Sequence, residues 1–366
     1  MSVAGAGFSF PQFDRKHPRI QRWRVGVQRQ IGSSMVVEAA YVGTFGDRLD
    51  VSHALTSLPQ QYWATGLARN SALASDLNSN VPNPFHIENF RPLQTSDPLV
   101  WDRISKLSFF TSPTIQKHRL LRDFPHMTGL TRTSVPLGKV RNTQWEVSAE
   151  KRFSSGFNFN FSFTKTDVEE QVFLPNEFDR VPQQWITGTA ARPYRIAATG
   201  IYELPFGRGR PFWNSGILSH MAGGWQIAGT AEAQPGNLLS WGNLFYYGSL
   251  EDIAVENPTL DRWFNVDAGF ERNASRTPAA FHTRVFPQRI DGLRADGSKL
   301  VNGSLQRSIQ FLEKMSLQLR LDAINLLNRS HFAAPNVTPT STNFGKVTAA
   351  AEVVNRFIQI QAKLRF

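Results

Sequence analysis

Six carboxylates fall at alternate positions of strand-like segments: Glu38, Glu146, Glu150, Glu203, Glu232 and Asp322. Carboxylates sharing a site can divide into a general acid and a general base. The same faces also carry Arg24, Arg152, Arg320, Lys363 and Arg365. With cations so close in the pattern, a solvated face of ion pairs is the stronger reading, and no catalytic residue is assigned. His86-Ile-Glu88 matches half of a zinc-deaminase signature, but that chemistry needs cysteines downstream and the chain has none. Absence of cysteine also removes a disulfide framework, a thiol nucleophile and any Cys-based metal site. There is no His-Glu-x-x-His, no Walker loop and no Gly-x-Gly-x-x-Gly. The histidines (His17, His53, His86, His118, His126, His220, His282 and His331) all lie outside the well-patterned segments. They could hold a metal chelate, but a solvated surface accounts for them better. The residues therefore predict no enzyme, no metal centre and no cofactor.

What positions these charges is alternation with period two. Residues 157–164 run Phe-Asn-Phe-Asn-Phe-Ser-Phe-Thr, which puts four phenylalanines on one face of a strand. On a water-exposed sheet that face would aggregate; facing lipid, or a second packed sheet, it is stable. The last eleven residues, 356–366, repeat the pattern, with Phe366, Leu364, Ala362, Ile360 and Ile358 opposite Arg365, Lys363, Gln361 and Gln359. In chain order, strands are predicted at 20–31, 35–41, 140–153, 157–164, 192–204, 225–234, 304–312, 315–323 and 356–366. Tight turns are expected at Gly32-Ser33-Ser34, Ser154-Ser155-Gly156 and Glu313-Lys314.

The connections alternate. Those after the first, third and seventh strands are very short, and that after the fifth is intermediate. Those after the second, fourth, sixth and eighth are long, at about 43–139, 165–191, 235–303 and 327–353. Bacterial outer-membrane barrels have short periplasmic turns and long extracellular loops, whereas a soluble sandwich gives no reason for such alternation. Strands of this length can cross a bilayer when tilted. No apolar run is long enough for a transmembrane helix, and the negative mean hydropathy suits a barrel whose alternate residues face water. The net charge of +11 is scattered rather than gathered in a basic stripe, so no nucleic-acid partner is expected. Residues 1–10 have neither a basic region nor an apolar core, so no signal peptide is read there. An odd strand count that ends in the periplasm implies further strands upstream, because single-chain bacterial barrels are usually even.

Several stretches resemble the β-barrel of TonB-dependent outer-membrane receptors, in particular the Oar-like branch. They are residues 22–29 (RWRVGVQR), 38–46 (EAAYVGTFG) with Arg48-Leu49, 201–209 (IYELPFGRG), 223–229 (GGWQIAG), Asn325-Leu-Leu-Asn328 with His331-Phe332, Phe344-Gly-Lys346, and the closing strand to Phe366. The resemblance implies a 22-stranded importer barrel with an internal plug and a TonB box. Neither plug nor TonB box is matched in this sequence. Expected contact with the TonB complex therefore runs only through parts missing from this chain. Full Oar-like members carry a carboxypeptidase-regulatory-like domain, but no carboxypeptidase activity follows from that name.

The sequence thus predicts an all-β protein, an antiparallel transmembrane β-barrel spanning residues 1–366, as the carboxy-terminal portion of a larger barrel. Its place would be the outer membrane of a Gram-negative-type bacterium, where it binds a bulky nutrient and passes it through the lumen. The charges named above would line that lumen. Trp101, Phe109, Phe110, Tyr246 and Tyr247 would contact ligand from the extracellular loops, or else pack those loops over the mouth. Trp23, Trp145 and Trp225 read as interfacial anchors rather than sugar-stacking residues. Expected partners are outer-membrane lipid and lipopolysaccharide, and the barrel-assembly machinery reading Phe366. Two alternatives stay open: a soluble all-β carbohydrate-binding protein, and a barrel fragment that transports nothing.

Overall fold

A residue pattern of period two can bury one face only as a strand, and the chain uses it in nine long ones. The computed structural model describes residues 5–189, 191–312, 315–352 and 355–366. The long strands are β1 (Arg19–Ile31), β2 (Met35–Ala54), β3 (Gly129–Ser154), β4 (Phe157–Gln171) and β5 (Tyr194–Glu203), followed by β6 (Trp225–Gln234), β7 (Ser298–Leu312), β8 (Met315–Ile324) and β9 (Phe357–Arg365). Each pairs antiparallel with its chain neighbours, so the sheet order is the chain order. β1 and β9 stand at the two open edges of the sheet. No helix among the described residues is long and apolar enough to cross a membrane.

Register keeps like with like across the strands. One row runs Val27, Ala39, Val147, Phe163, Ile196. Another runs Phe157, Tyr202, Ile227, Leu305, Leu321, Ile360. A one-residue slip would send every one of these side chains to the other face. No second sheet covers them: Val25, Val27 and Ile360 are 69%, 73% and 78% exposed. A sandwich would bury them, so the soluble all-β alternative is not favoured.

Two close contacts fix local geometry. The β3–β4 hairpin turns on Ser155 (φ 53°) and Gly156 (φ 84°), both left-handed, as a tight two-residue turn of this hand requires. On the apolar face the Trp23 indole lies over Gly43 of the neighbouring strand, where an added Cβ would sit 2.1 Å from the ring.

The predicted strands are all present, but several of their ends differ from expectation. β2 and β3 run far into the stretch 43–139 that reads as loop, and they pair from Met35–Lys151 to Ala54–Thr131 with bulges near Asp47, Leu49 and Val51. Above the apolar band their outward faces carry ion pairs instead of apolar side chains, such as Arg19 with Asp47 and Arg141 with Glu169. That change of chemistry hides the strands from a search for amphipathic alternation. β4 likewise continues to Gln171, past the expected loop start at 165. The turn expected at Glu313-Lys314 lies outside the described residues.

The long connections fold on one another at one end of the sheet. Residues 237–297 and Phe344 share a core of Trp241, Phe264, Phe270, Phe286 and neighbours. The β2–β3 connection builds a second core around Ile104, Phe109, Phe110 and Ile115. Ala64 and Phe281 join the two: the Ala64 N–H donates to the Phe281 carbonyl at 2.8 Å, and Thr283 donates back to Ala64 at 2.9 Å. Together they form a cap.

Candidate functional site

The face opposite the apolar rows carries the charges. On β1 to β3, Arg24 pairs with Glu38 and lies 3.5 Å from Glu146. Glu232 on β6 holds Arg195 on β5 at 3.1 Å. Glu203 pairs with Arg210 and accepts from Gln226 at 3.1 Å, and Gln226 in turn accepts from Gln306 at 3.0 Å. Arg320 and Asp322 on β8 pair at 2.8 Å. The partners are half-exposed, so they make a wetted wall rather than a set of locked bridges.

Between β3 and β9 this wall forms a concavity of about 650 Å³. Glu150, Arg152, Asn160, Thr230, Arg320 and Asp322 are among its lining. Lys363 and Arg365 share the register of this face through Gln318 and Ser316. The structure therefore brings the sequence-predicted charges onto one surface, with a correction to their pairing. Glu203 and Glu232 take Arg210 and Arg195, which the sequence reading did not assign. Among the described residues Glu150, Arg152, Lys363 and Arg365 form no ion pair. The surface can solvate and exchange partners with a polar solute. No group of three or more potential metal ligands occurs among the described residues.

The aromatic residues expected to meet a ligand divide in two. Phe109 and Phe110 are buried, with their rings 5.0 Å apart edge to face, and they hold the β2–β3 part of the cap together. Trp101 is half-buried on the helix Pro98–Ile104 beside them. Tyr246 packs on Phe270 at 4.8 Å, with its hydroxyl on the Ser249 carbonyl. Tyr247 is exposed and its hydroxyl reaches the Leu67 carbonyl at 3.4 Å. Of the five, Tyr247 offers the most free surface.

A group of cationic side chains inside the cap escaped the sequence reading. Arg180 donates to the Ala54 carbonyl at 3.0 Å and to Ser57 at 2.8 Å. Arg294 donates to the Ala191 carbonyl at 2.6 Å, stapling loop to loop, and Arg284 donates to the carbonyls of Phe286 and Gly242 at 2.9 and 3.2 Å within the β6–β7 connection; burial lowers both pKa values. Arg119 and Arg122 are lowered for the same reason, with Glu177 partly offsetting the effect at Arg122. Next to them His118 is buried, 3.0 Å from Gln116 and packed on Phe281. Burial first, then Arg122 and Arg119, hold its pKa down at about 4. No local pattern marks Arg180 and Arg294, because they reach backbone carbonyls of distant loops.

His118 gives a pH prediction. Its folded pKa lies below the ordinary value of 6.5, so the unfolded cap binds more protons between pH 6.5 and 4. Cap stability should fall as pH drops through that window, by about 3 kcal/mol in total. Amide protection factors at residues 114–121, corrected for the pH dependence of intrinsic exchange, should be lower at pH 4.5 than at pH 7. His118→Gln should flatten the difference, and an unchanged pH profile in that variant would assign the effect elsewhere.

Residues 2–359 match the model of a family described as an outer membrane beta barrel domain. No curated protein matches the chain. Among solved structures it is similar to the outer membrane transporter YddB of Escherichia coli, at 12% identity and TM-score 0.45, over 99% of this chain and 34% of that one. It is also similar to the pyoverdine outer membrane receptor FpvA of Pseudomonas aeruginosa PAO1, at 10% identity and TM-score 0.41, over 95% of this chain and 30% of that one. The FrpB iron transporter of Neisseria meningitidis aligns at 10% identity and TM-score 0.39, over 98% of this chain and 33% of that one. The chain spans about a third of the length of these structures.

Proposed function

The chain belongs to the outer membrane beta barrel domain family, and on that premise we propose that it is part of the wall of a TonB-dependent-receptor-like importer of the Oar-like branch. Its sheet lies in the outer membrane of a Gram-negative bacterium. The family and the solvated charges point to a receptor or transporter rather than an enzyme. The observation that carries the proposal is the two-faced sheet: nine successive antiparallel strands keep apolar side chains in register on one side and charged ones on the other. In this reading the apolar rows meet lipid and the concavity faces the lumen. A bulky nutrient meets the cap first, at surfaces such as Tyr247, and then passes along the charged wall. Other strands complete the barrel at the edges of β1 and β9, because an unpaired backbone edge is costly in hydrocarbon. Energy coupling would reach the wall through a plug and a TonB box. Phe366, 94% exposed at the end of β9, would serve as the handle for the barrel-assembly machinery.

The test is the size and behaviour of the native polypeptide. Source cells are fractionated and blotted with an antibody to β9. An outer-membrane band much larger than 41 kDa, whose mobility changes on heating, is the expected result. A band at 41 kDa in the same fraction would remove TonB coupling from the proposal and leave a smaller barrel.

A further inference from the structure

The β5–β6 connection, residues 204–224, sits at the short-turn end of the sheet, beside the β3–β4 hairpin. It is the one short-end connection among the described residues that builds a helix, Gly216–Ala222. Ile217, Leu218 and Met221 share one side of that helix and are 79%, 59% and 66% exposed. Phe212 and Trp213, just before it, are also more than half exposed. Five large apolar side chains in one short connection would be a liability in water.

Their placement gives them a use. Arg307 of β7 lies in the same cross-strand row as Trp225 and Leu319, on the apolar face. Its guanidinium donates to the carbonyls of His220 and, at 2.7 Å, Met221. The Trp225 indole donates to the same Met221 carbonyl at 3.2 Å. The helix is therefore bound to the lipid side of the sheet, continuous with the row that begins at Trp225. Its opposite side is pinned: Ser219 is buried, and Gly207 meets Gly223 so closely that an added Cβ at 207 would lie 2.5 Å from the Gly223 Cα. Phe206 stacks on Trp213 at 4.7 Å, and Arg210 crosses to the charged face to pair with Glu203. The connection thus folds over the rim, with its charge inside and its apolar side chains outside. Arg208 is exposed beside it, within the same turn.

We propose that this connection is a membrane-interface anchor, in which Phe212, Trp213, Ile217, Leu218 and Met221 enter the periplasmic leaflet and Arg208 meets phospholipid headgroups. Short turns mark the periplasmic end of a barrel, and that leaflet is phospholipid. A helix lying in the interface buries its apolar side to the headgroup–acyl boundary, the level at which Trp225 and Arg307 end the apolar face. The anchor fixes the height of the sheet in the bilayer. The inference rests on the outer-membrane location of the sheet and is independent of what the protein transports.

The chain contains no cysteine, so single cysteines can report depth. Ile217→Cys, Leu218→Cys and Met221→Cys are each labelled with a polarity-sensitive fluorophore. Ser33→Cys in the β1–β2 turn and Val27→Cys on the lipid face are controls. The protein is inserted into vesicles of phosphatidylethanolamine and phosphatidylglycerol, with 5-doxyl lipid or aqueous iodide as quencher. Labels at 217, 218 and 221 should be quenched by 5-doxyl lipid, and by iodide about threefold less than the label at 33. Iodide quenching equal to that at 33, with the Val27→Cys label still reporting lipid, would overturn the proposal, because the sheet would then be inserted and the helix wet. Shielding from both quenchers would overturn it too, since a second copy or another protein would then cover the helix.

Discussion

Phe264→Ala should release the loop cap, at a cost of about 3–5 kcal/mol, while the sheet of nine long strands stays inserted. Phe264 is fully buried, with its ring 5.1 Å from Trp241 and 5.2 Å from Phe344. Trp241 stacks on Phe270 at 5.5 Å, and Phe344 meets Phe270 edge to face at 5.0 Å. Phe344 belongs to the β8–β9 connection and the others to the β6–β7 connection, so one ring ties two loops. Little regular secondary structure supports this layer, and its stability comes from side-chain burial and scattered loop hydrogen bonds. A cavity there should open the cap as a local unit rather than unfold the barrel. Limited proteolysis and hydrogen exchange should show residues 237–297 exposed, while the heat-dependent gel shift of the barrel persists. Unchanged protection of 237–297 would show that Phe264 is not the tie.

The cap was the part least legible in the sequence, and the reason is physical. Trp241, Phe264, Phe270, Phe286 and Phe344 are spread over a hundred residues without a period, so nothing local says they meet. Phe109 and Phe110 stand out as an aromatic pair, which suggests a presented surface, but burial makes them a core. The stapling arginines find acceptors in backbone carbonyls, which leave no mark in a sequence, and the burial of His118 on Phe281 depends on a contact far along the chain. The membrane part is the opposite case. Phe157 to Phe163 and Met315 to Ala323 alternate without a break, and Trp225 to Ala233 does so except at Ala228; a period of two fixes both the element and its faces. β6 has the ends expected of it, at 225 and 234. Legibility failed at the upper ends of β2 and β3, where outward positions turn from apolar to charged as the strands leave the bilayer. On the charged face the residue types were plain, but partners such as Arg210 for Glu203 depend on a turn geometry that only the folded chain displays.

The faces themselves are open to a direct comparison of two neighbouring residues. On β4, Phe161 lies between Ala149 of β3 and Ala198 of β5, in the middle of the apolar rows. Four residues above it Lys165 pairs with Trp145 and Tyr194, and four below it Phe157 ends the band beside Tyr202. Eight residues of tilted strand rise about 20 Å, close to the height of the apolar band on outer-membrane barrels, so Phe161 sits near its midplane. An arginine there should cost about 2–4 kcal/mol of insertion. Phe161→Arg should therefore lose most of the inserted, heat-shifted species in an assay of assembly into vesicles. Ser162, the next residue, faces the charged wall beside Ser148, in a hollow lined by Glu38 and Glu146. Ser162→Arg adds the same charge on the wetted wall, where water solvates it and Glu38 and Glu146 can be shared with Arg24, and insertion should stay near that of the unaltered chain. Equal losses for the two variants would mean that both faces of β4 are buried, and a greater loss for Ser162→Arg would reverse the faces. Because the two sites are adjacent and gain the same side chain, the added net charge cancels, and what separates them is the direction in which each side chain points together with the phenylalanine lost at 161.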